Sequence, residues 1–194
     1  MTPLLVGIFV GGSGTRMGGI AKGLLTAPDG GEPLVARLTR ISGEALPGSG
    51  VVLVGDPAAY ALLGLSALVD DPPASGPLGG LRALLAEGAR TERDVITLAC
   101  DLPFVTAELV ARLAAYAPES AAVAPRNAGG RWEPLFARYS RRCVKTAESQ
   151  FASGRRSLRS VLEALGGEAV PLPVTEAEWR LLRDWDTPED RDSD

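Results

Sequence analysis

The stretch Leu4-Leu5-Val6-Gly7-Ile8-Phe9-Val10-Gly11-Gly12-Ser13-Gly14-Thr15-Arg16-Met17-Gly18-Gly19-Ile20-Ala21-Lys22 decides how this chain is read. The apolar run Leu4–Val10 predicts a buried strand. It breaks into a loop with glycines at 11, 12, 14, 18 and 19 and with two cations, Arg16 and Lys22. Glycine lets backbone N–H groups approach an anion closely. Arginine and lysine can neutralise several phosphate oxygens at once. The combination predicts a cradle for a triphosphate. It is not a P-loop, because no glycine-lysine-Ser/Thr follows at the required spacing. It approaches the dinucleotide fingerprint through Gly12 and Gly14, but Met17 stands where the third glycine belongs.

Outward from this loop, apolar runs alternate with helical patterns. Strands are predicted at Leu4–Val10, Val51–Val54, Ala67–Val69, Val95–Ala99, Ala121–Ala124 and Leu135–Tyr139. Helices are predicted at Pro33–Ser42, Pro57–Leu63, Leu78–Glu87, Ala107–Tyr116, Arg141–Ala152 and Leu158–Leu165. This alternation predicts an α/β protein, a single-domain Rossmann-like three-layer fold with a mostly parallel sheet. One domain is expected over residues 1–194, with an acidic C-terminal tail from about 187. Ligands of such sheets bind beyond the carboxyl ends of the strands. The Gly11–Lys22 loop and Asp101, which follows Val-Ile-Thr-Leu-Ala-Cys, should therefore share one edge.

Composition narrows the chemistry. Hydrophobic residues make up 45% of the 194 and charged residues 23%, as in a globular protein. The net charge of −4 gives nonspecific nucleic-acid binding no support. No apolar stretch reaches the length of a membrane span, and the expected location is the cytoplasm. Two cysteines, Cys100 and Cys143, lack metal-type spacing and are expected as free thiols. The chain has no histidine, which excludes an imidazole base, a histidine-bearing triad and a histidine-ligated metal. Carboxylates, cations, backbone and a hard metal remain. Asp101 is a magnesium-ligand candidate, since magnesium takes one or two carboxylates plus substrate phosphates. The alternative is an aspartate capping the helix after Pro103.

The segment Gly11 to Gly18 followed by Lys22-Gly23-Leu24-Leu25 resembles the opening motif of nucleotidylyltransferases, in particular the molybdenum cofactor guanylyltransferases. The resemblance continues through Asp71, Gly76-Pro77-Leu78-Gly79-Gly80, Cys100-Asp101-Leu102-Pro103-Phe104, Pro134-Leu135, Arg155-Arg156 and Asp186-Thr187-Pro188-Glu189-Asp190. It implies transfer of GMP from Mg-GTP to the terminal phosphate of molybdopterin, with release of pyrophosphate and Mg²⁺ as cofactor. It assigns catalysis to Arg16, Lys22 and Asp101. It assigns nucleotide binding to Phe9, Val10, Gly11, Gly12, Lys22, Asp71, Gly76, Pro77, Leu78, Gly80 and Asp101, with Asp70 the neighbouring alternative to Asp71. Acceptor binding falls to Arg155, Arg156, Asp184 and Asp186, and metal binding to Asp101. For Asp186 three roles stay open: it shares the metal with Asp101, since a hard cation tolerates two carboxylates, it meets the acceptor without touching metal, or it belongs to a solvated acidic tail. Arg126 and Arg131 flank a loop expected near the acceptor, where Trp132 either stacks on a pterin or packs against the domain. A molybdoenzyme or chaperone would receive the product.

Two positions depart from the guanylyltransferase pattern. Asp184 and Asp186 stand where that pattern has asparagines, and the Asp-x-Asp-Thr-Pro-Glu-Asp ending resembles the molybdopterin cytidylyltransferases. Gly11-Gly12 and Gly-Pro-Leu-Gly-Gly favour guanine. A cytidylyltransferase is the first alternative, and a noncatalytic nucleotide-binding module the second.

Overall fold

The computed structural model describes residues 3–11, 21–28, 30–70 and 75–185. Among these residues seven strands form one sheet: β1 (Leu4–Phe9), β2 (Gly50–Val54), β3 (Ala67–Leu68), β4 (Asp94–Ala99), β5 (Ala122–Pro125), β6 (Phe136–Tyr139) and β7 (Ala169–Leu172). Their order is β3-β2-β1-β4-β6-β5-β7. β1 pairs in parallel with β2 and β4, and β5 pairs in parallel with β7. β6 alone runs against its neighbours.

Among the described residues six α-helices cover the two faces: α1 (Leu34–Ala45), α2 (Pro77–Arg90), α3 (Ala107–Ala115), α4 (Val144–Ala152), α5 (Arg159–Leu165) and α6 (Glu176–Leu181). The period-2 pattern of β1 divides its side chains between two cores. Leu4, Val6, Ile8 and Val10 join Val35, Leu38 and Ile41 of α1 and Leu109, Val110 and Leu113 of α3. Leu5 and Phe9 join Leu78, Leu81, Leu84 and Leu85 of α2, with Val161 and Leu162 of α5. β1 is buried along its whole length, as a central parallel strand must be.

The expected three-layer fold is therefore present, with additions and one change of type. β7 and α6 were not predicted. Pro171 interrupts the apolar run Ala169–Leu172, and α6 has only six residues. The helix predicted at Pro57–Leu63 is a 3-10 helix over Ala58–Leu63, closed by Gly64 at φ +64°. Among the described residues no helix is long and apolar enough to cross a membrane.

The topology places the site. From β1 the chain steps outward to β2 and β3, then returns to the other side of β1 for β4. The order thus reverses between β1 and β4, the position at which open α/β sheets bind ligands.

Candidate active site

Both expected strand exits lie at this reversal. Phe9 and Ala99 are paired at the ends of β1 and β4, and the Cys100 N–H donates to the Phe9 carbonyl at 3.1 Å. Asp101 therefore emerges beside Val10 and Gly11. Lys22 returns to the same edge in a 3-10 turn, Lys22–Leu24. Its ammonium donates to Asp101 Oδ2 at 2.8 Å, with side-chain exposures of 19% and 15%. This partly buried ion pair, between residues 79 apart in sequence, is the centre of the site. Asp101 is not a helix cap, since α3 is capped by Thr106, whose hydroxyl accepts the Leu109 N–H.

The Gly-Pro-Leu-Gly-Gly segment forms the start of α2. Gly76 sits at φ +75°, a conformation suited to glycine, and Pro77 opens the helix, where its missing N–H costs nothing. Gly80 lies flush on the strand ends. A Cβ there would come within 2.7 Å of Val54 Cγ1 and 3.1 Å of Phe9 Cε1. Phe9, Val10 and Leu78 bury their side chains in the cores, so backbone is what they can offer a nucleotide. Asp70 packs under the same turn, 3.4 Å from the Cβ positions of Gly79 and Gly80. Burial raises its carboxyl above the usual range, against the Ser75 N–H. Gly12, Arg16, Asp71 and Asp186 lie outside the described residues.

On the other flank, the Leu78 N–H donates to the Arg156 carbonyl at 2.9 Å, which joins the Arg155-Arg156 segment to the start of α2. A groove of about 390 Å³ opens there, lined by Pro77, Pro134, Leu135, Arg156, Ser157 and Leu158. The Arg156 guanidinium stacks on Phe151 at 4.2 Å and donates to the Phe151 and Arg155 carbonyls. Arg155 is exposed. The loop with Arg126 and Arg131 is a closed turn, in which Arg126 Nε donates to the Gly130 carbonyl at 2.9 Å. Trp132 is 6% exposed within the core and carries Arg126 over its ring at 5.0 Å, so it packs against the domain.

The C-terminal segment also reaches the centre. The Trp185 N–H donates to the Asp101 carbonyl at 3.0 Å, and its ring meets Phe104 edge-on. Asp184 is exposed on this segment. Sequence reading missed Trp185, Tyr60 and Glu133. Burial raises the Glu133 carboxyl above its usual range, and the negative charge of Asp184 adds to this, while Arg131 opposes it. Its place before Pro134-Leu135 in a quoted motif was the only sequence signal for it.

Donor chemistry tests the site for magnesium. Among the described residues no group of three metal-ligating side chains exists. Among the described residues, Asp101 presents a hard carboxylate at the ends of β1 and β4. That suits magnesium, which binds through one or two carboxylates and completes its shell with water and substrate phosphates.

A Rossmann-like sheet with Lys22 and Asp101 paired at its switch point suits a nucleotidyltransferase. The model of the MobA-like NTP transferase domain matches residues 6–170, and the chain belongs to that family. A molybdenum cofactor guanylyltransferase of Pseudomonas putida is 35% identical over 187 residues, 93% of this chain and 92% of that one. One of Pseudomonas entomophila (strain L48) is 37% identical over 174 residues, 87% and 85% of the two chains. Among solved structures, the molybdopterin-guanine dinucleotide biosynthesis protein A of Archaeoglobus fulgidus shares the fold at a TM-score of 0.76 and 23% identity, covering 97% and 95%.

Proposed function

We propose that the protein transfers GMP from Mg-GTP to the terminal phosphate of molybdopterin, releasing pyrophosphate, as a single nucleotidylyltransferase domain over 1–194. The observation that carries this reading is the Lys22–Asp101 pair at the β1/β4 reversal. The names of the relatives supply the nucleotide and the acceptor. An oxygen of the acceptor phosphate attacks the α-phosphorus, the bond to the β-phosphate oxygen breaks, and pyrophosphate leaves. The nucleophile is already an anion, so no imidazole is required. The difficulty is bringing anions together, and positioned cations meet it.

In this reading Lys22 leaves Asp101 for the triphosphate, and Asp101 with Asp186 would hold magnesium, which neutralises phosphate charge. Backbone of Gly11, Gly12 and the α2 start borders the guanine, with Asp71 nearby. Arg155, Arg156 and Asp184 flank the acceptor. The groove between Pro77 and Leu135 gives a pterin an apolar bed beside them. A molybdoenzyme or its chaperone would take up the product, in the cytoplasm.

The Asp-x-Asp ending keeps CTP as the competing nucleotide. Turnover of GTP and CTP, with and without molybdopterin, separates the readings through pyrophosphate release. The expected result is release with GTP only when molybdopterin is present. Faster release with CTP would transfer the assignment to a cytidylyltransferase. GTP binding without release would leave a nucleotide-binding module.

A further inference from the structure

Tyr60 lies on the 3-10 helix after β2, outside every motif, yet its hydroxyl reaches the centre of the site. Its ring is 3% exposed within the core beneath α1. The Gly23 N–H donates to Tyr60 Oη at 3.3 Å across 37 residues of sequence. Cys100, the residue before Asp101, is buried in the same core as the Tyr60 ring. Tyr60 therefore stands between the loop that carries Lys22 and the loop that carries Asp101.

Helix geometry gives this contact a purpose. The first N–H groups of a helical turn have no acceptor within it. In the turn Lys22–Leu24 the capping position is Ala21, whose side chain accepts nothing. The Tyr60 hydroxyl supplies the missing acceptor from a distant element. Gly23 allows the approach. A Cβ at that position would lie 2.9 Å from Tyr60 Cε1 and 2.4 Å from Val35 Cγ2. The glycine of Lys-Gly-Leu-Leu is thus the one residue type that seats this turn on the ring. A phenol buried this deeply also requires a hydrogen-bond partner.

We propose that Tyr60 is a positioning residue for nucleotide transfer, its hydroxyl fixing the Lys22 turn against the Asp101 loop so that ammonium and carboxylate are preorganised for Mg-GTP. The inference rests on the reading of Lys22 as a triphosphate-binding cation. Tyr60 touches no substrate and acts through the Gly23 backbone. A lysine on a turn already held in place binds with less loss of conformational freedom than one on a loose turn.

Tyr60→Phe keeps the ring and removes the hydroxyl. Mg-GTP affinity, measured by calorimetry on the full chain, should fall roughly three- to tenfold, as loss of one neutral hydrogen bond allows. The double variant Tyr60→Phe/Lys22→Ala should bind no more weakly than Lys22→Ala alone, because the hydroxyl acts only through the lysine turn. Wild-type affinity in Tyr60→Phe, or a loss that multiplies with that of Lys22→Ala, overturns the proposal and leaves Tyr60 as core packing. Unchanged affinity in Lys22→Ala would instead sink the reading of the nucleotide site. Hydrogen exchange of the wild-type protein gives a measurement independent of any variant. The Gly23 amide should be protected, and exchange at the rate of an unfolded chain overturns the proposal even if Tyr60→Phe does not fold.

Discussion

Lys22 and Asp101 meet at 2.8 Å, so a bound Mg-nucleotide has to part them, the ammonium going to phosphate and the carboxylate to the metal. Each half of that exchange can be removed separately. Lys22→Ala should weaken Mg-GTP binding about ten- to a hundredfold, the loss of a charge-assisted bond of about 1.5–3 kcal/mol. Calorimetric titration measures it, and unchanged affinity would remove Lys22 from the site. Asp101→Asn nearly conserves shape and deletes the anion. It should raise the magnesium concentration needed for half-maximal turnover, and a magnesium titration matching wild type would contradict metal ligation. These two residues were legible in the sequence because their motifs join a charge to a strand exit. Tyr60 was not, because a tyrosine in Ala-Ala-Tyr-Ala-Leu-Leu reads as core, and its 3% exposure agrees with that reading. Only the fold shows that its one polar atom meets the Gly23 amide, in the core that also holds Cys100.

Among the elements, α2 does most to shape the site, because its first turn lies directly on the strand ends. Gly80→Ala should destabilise the protein by about 1–3 kcal/mol, since the added methyl would meet Val54 and Phe9 below contact distance. Urea unfolding reads this, with Gly43→Ala in α1 as control. Nothing lies within 4 Å of a Cβ at Gly43, and alanine there should be neutral or stabilising by up to about 1 kcal/mol. At the other end of the chain, α6 starts with a capping box between Thr175 and Glu178, and Glu178 also pairs with Arg112. The Arg112 guanidinium, helped by the Thr175 N–H, lowers the Glu178 carboxyl to about 2. Because the folded value lies below the unfolded one, this stabilisation is present above about pH 4.5 and disappears as the pH falls towards 2. The stability difference between wild type and Glu178→Gln should shrink across that range, and a constant difference would contradict the assignment. Periodicity revealed the long elements but not the direction of β6. A strand shows the same alternation whichever way it runs, and only the short 126–135 connection, too brief for a crossover helix, carries that information.

In the whole molecule, the sheet separates two large cores, with one cysteine on each side. Cys100 lies in the core of α1 and α3, and Cys143 in that of α2 and α4. Burial, then the charge of Asp101, pushes the Cys100 thiol up to about 12, and burial with Asp94 does the same for Cys143. Neither should react with iodoacetamide at neutral pH in the native protein, and both should react after unfolding. Rapid native labelling of Cys100 would mean that the floor of the site opens. The reversal of strand order at β1 also has a consequence for synthesis of the chain. β1 is made before both of its neighbours, and the second of them, β4, ends at Ala99. At about 5–20 residues per second, roughly 5–20 s separate translation of Phe9 from that of Ala99. During that interval Leu-Leu-Val-Gly-Ile-Phe lacks a partner along one side, an apolar edge prone to association on a crowded ribosome. The centre of the finished sheet is thus the segment of the nascent chain that waits longest for shelter, and a cotranslational chaperone has its clearest substrate there.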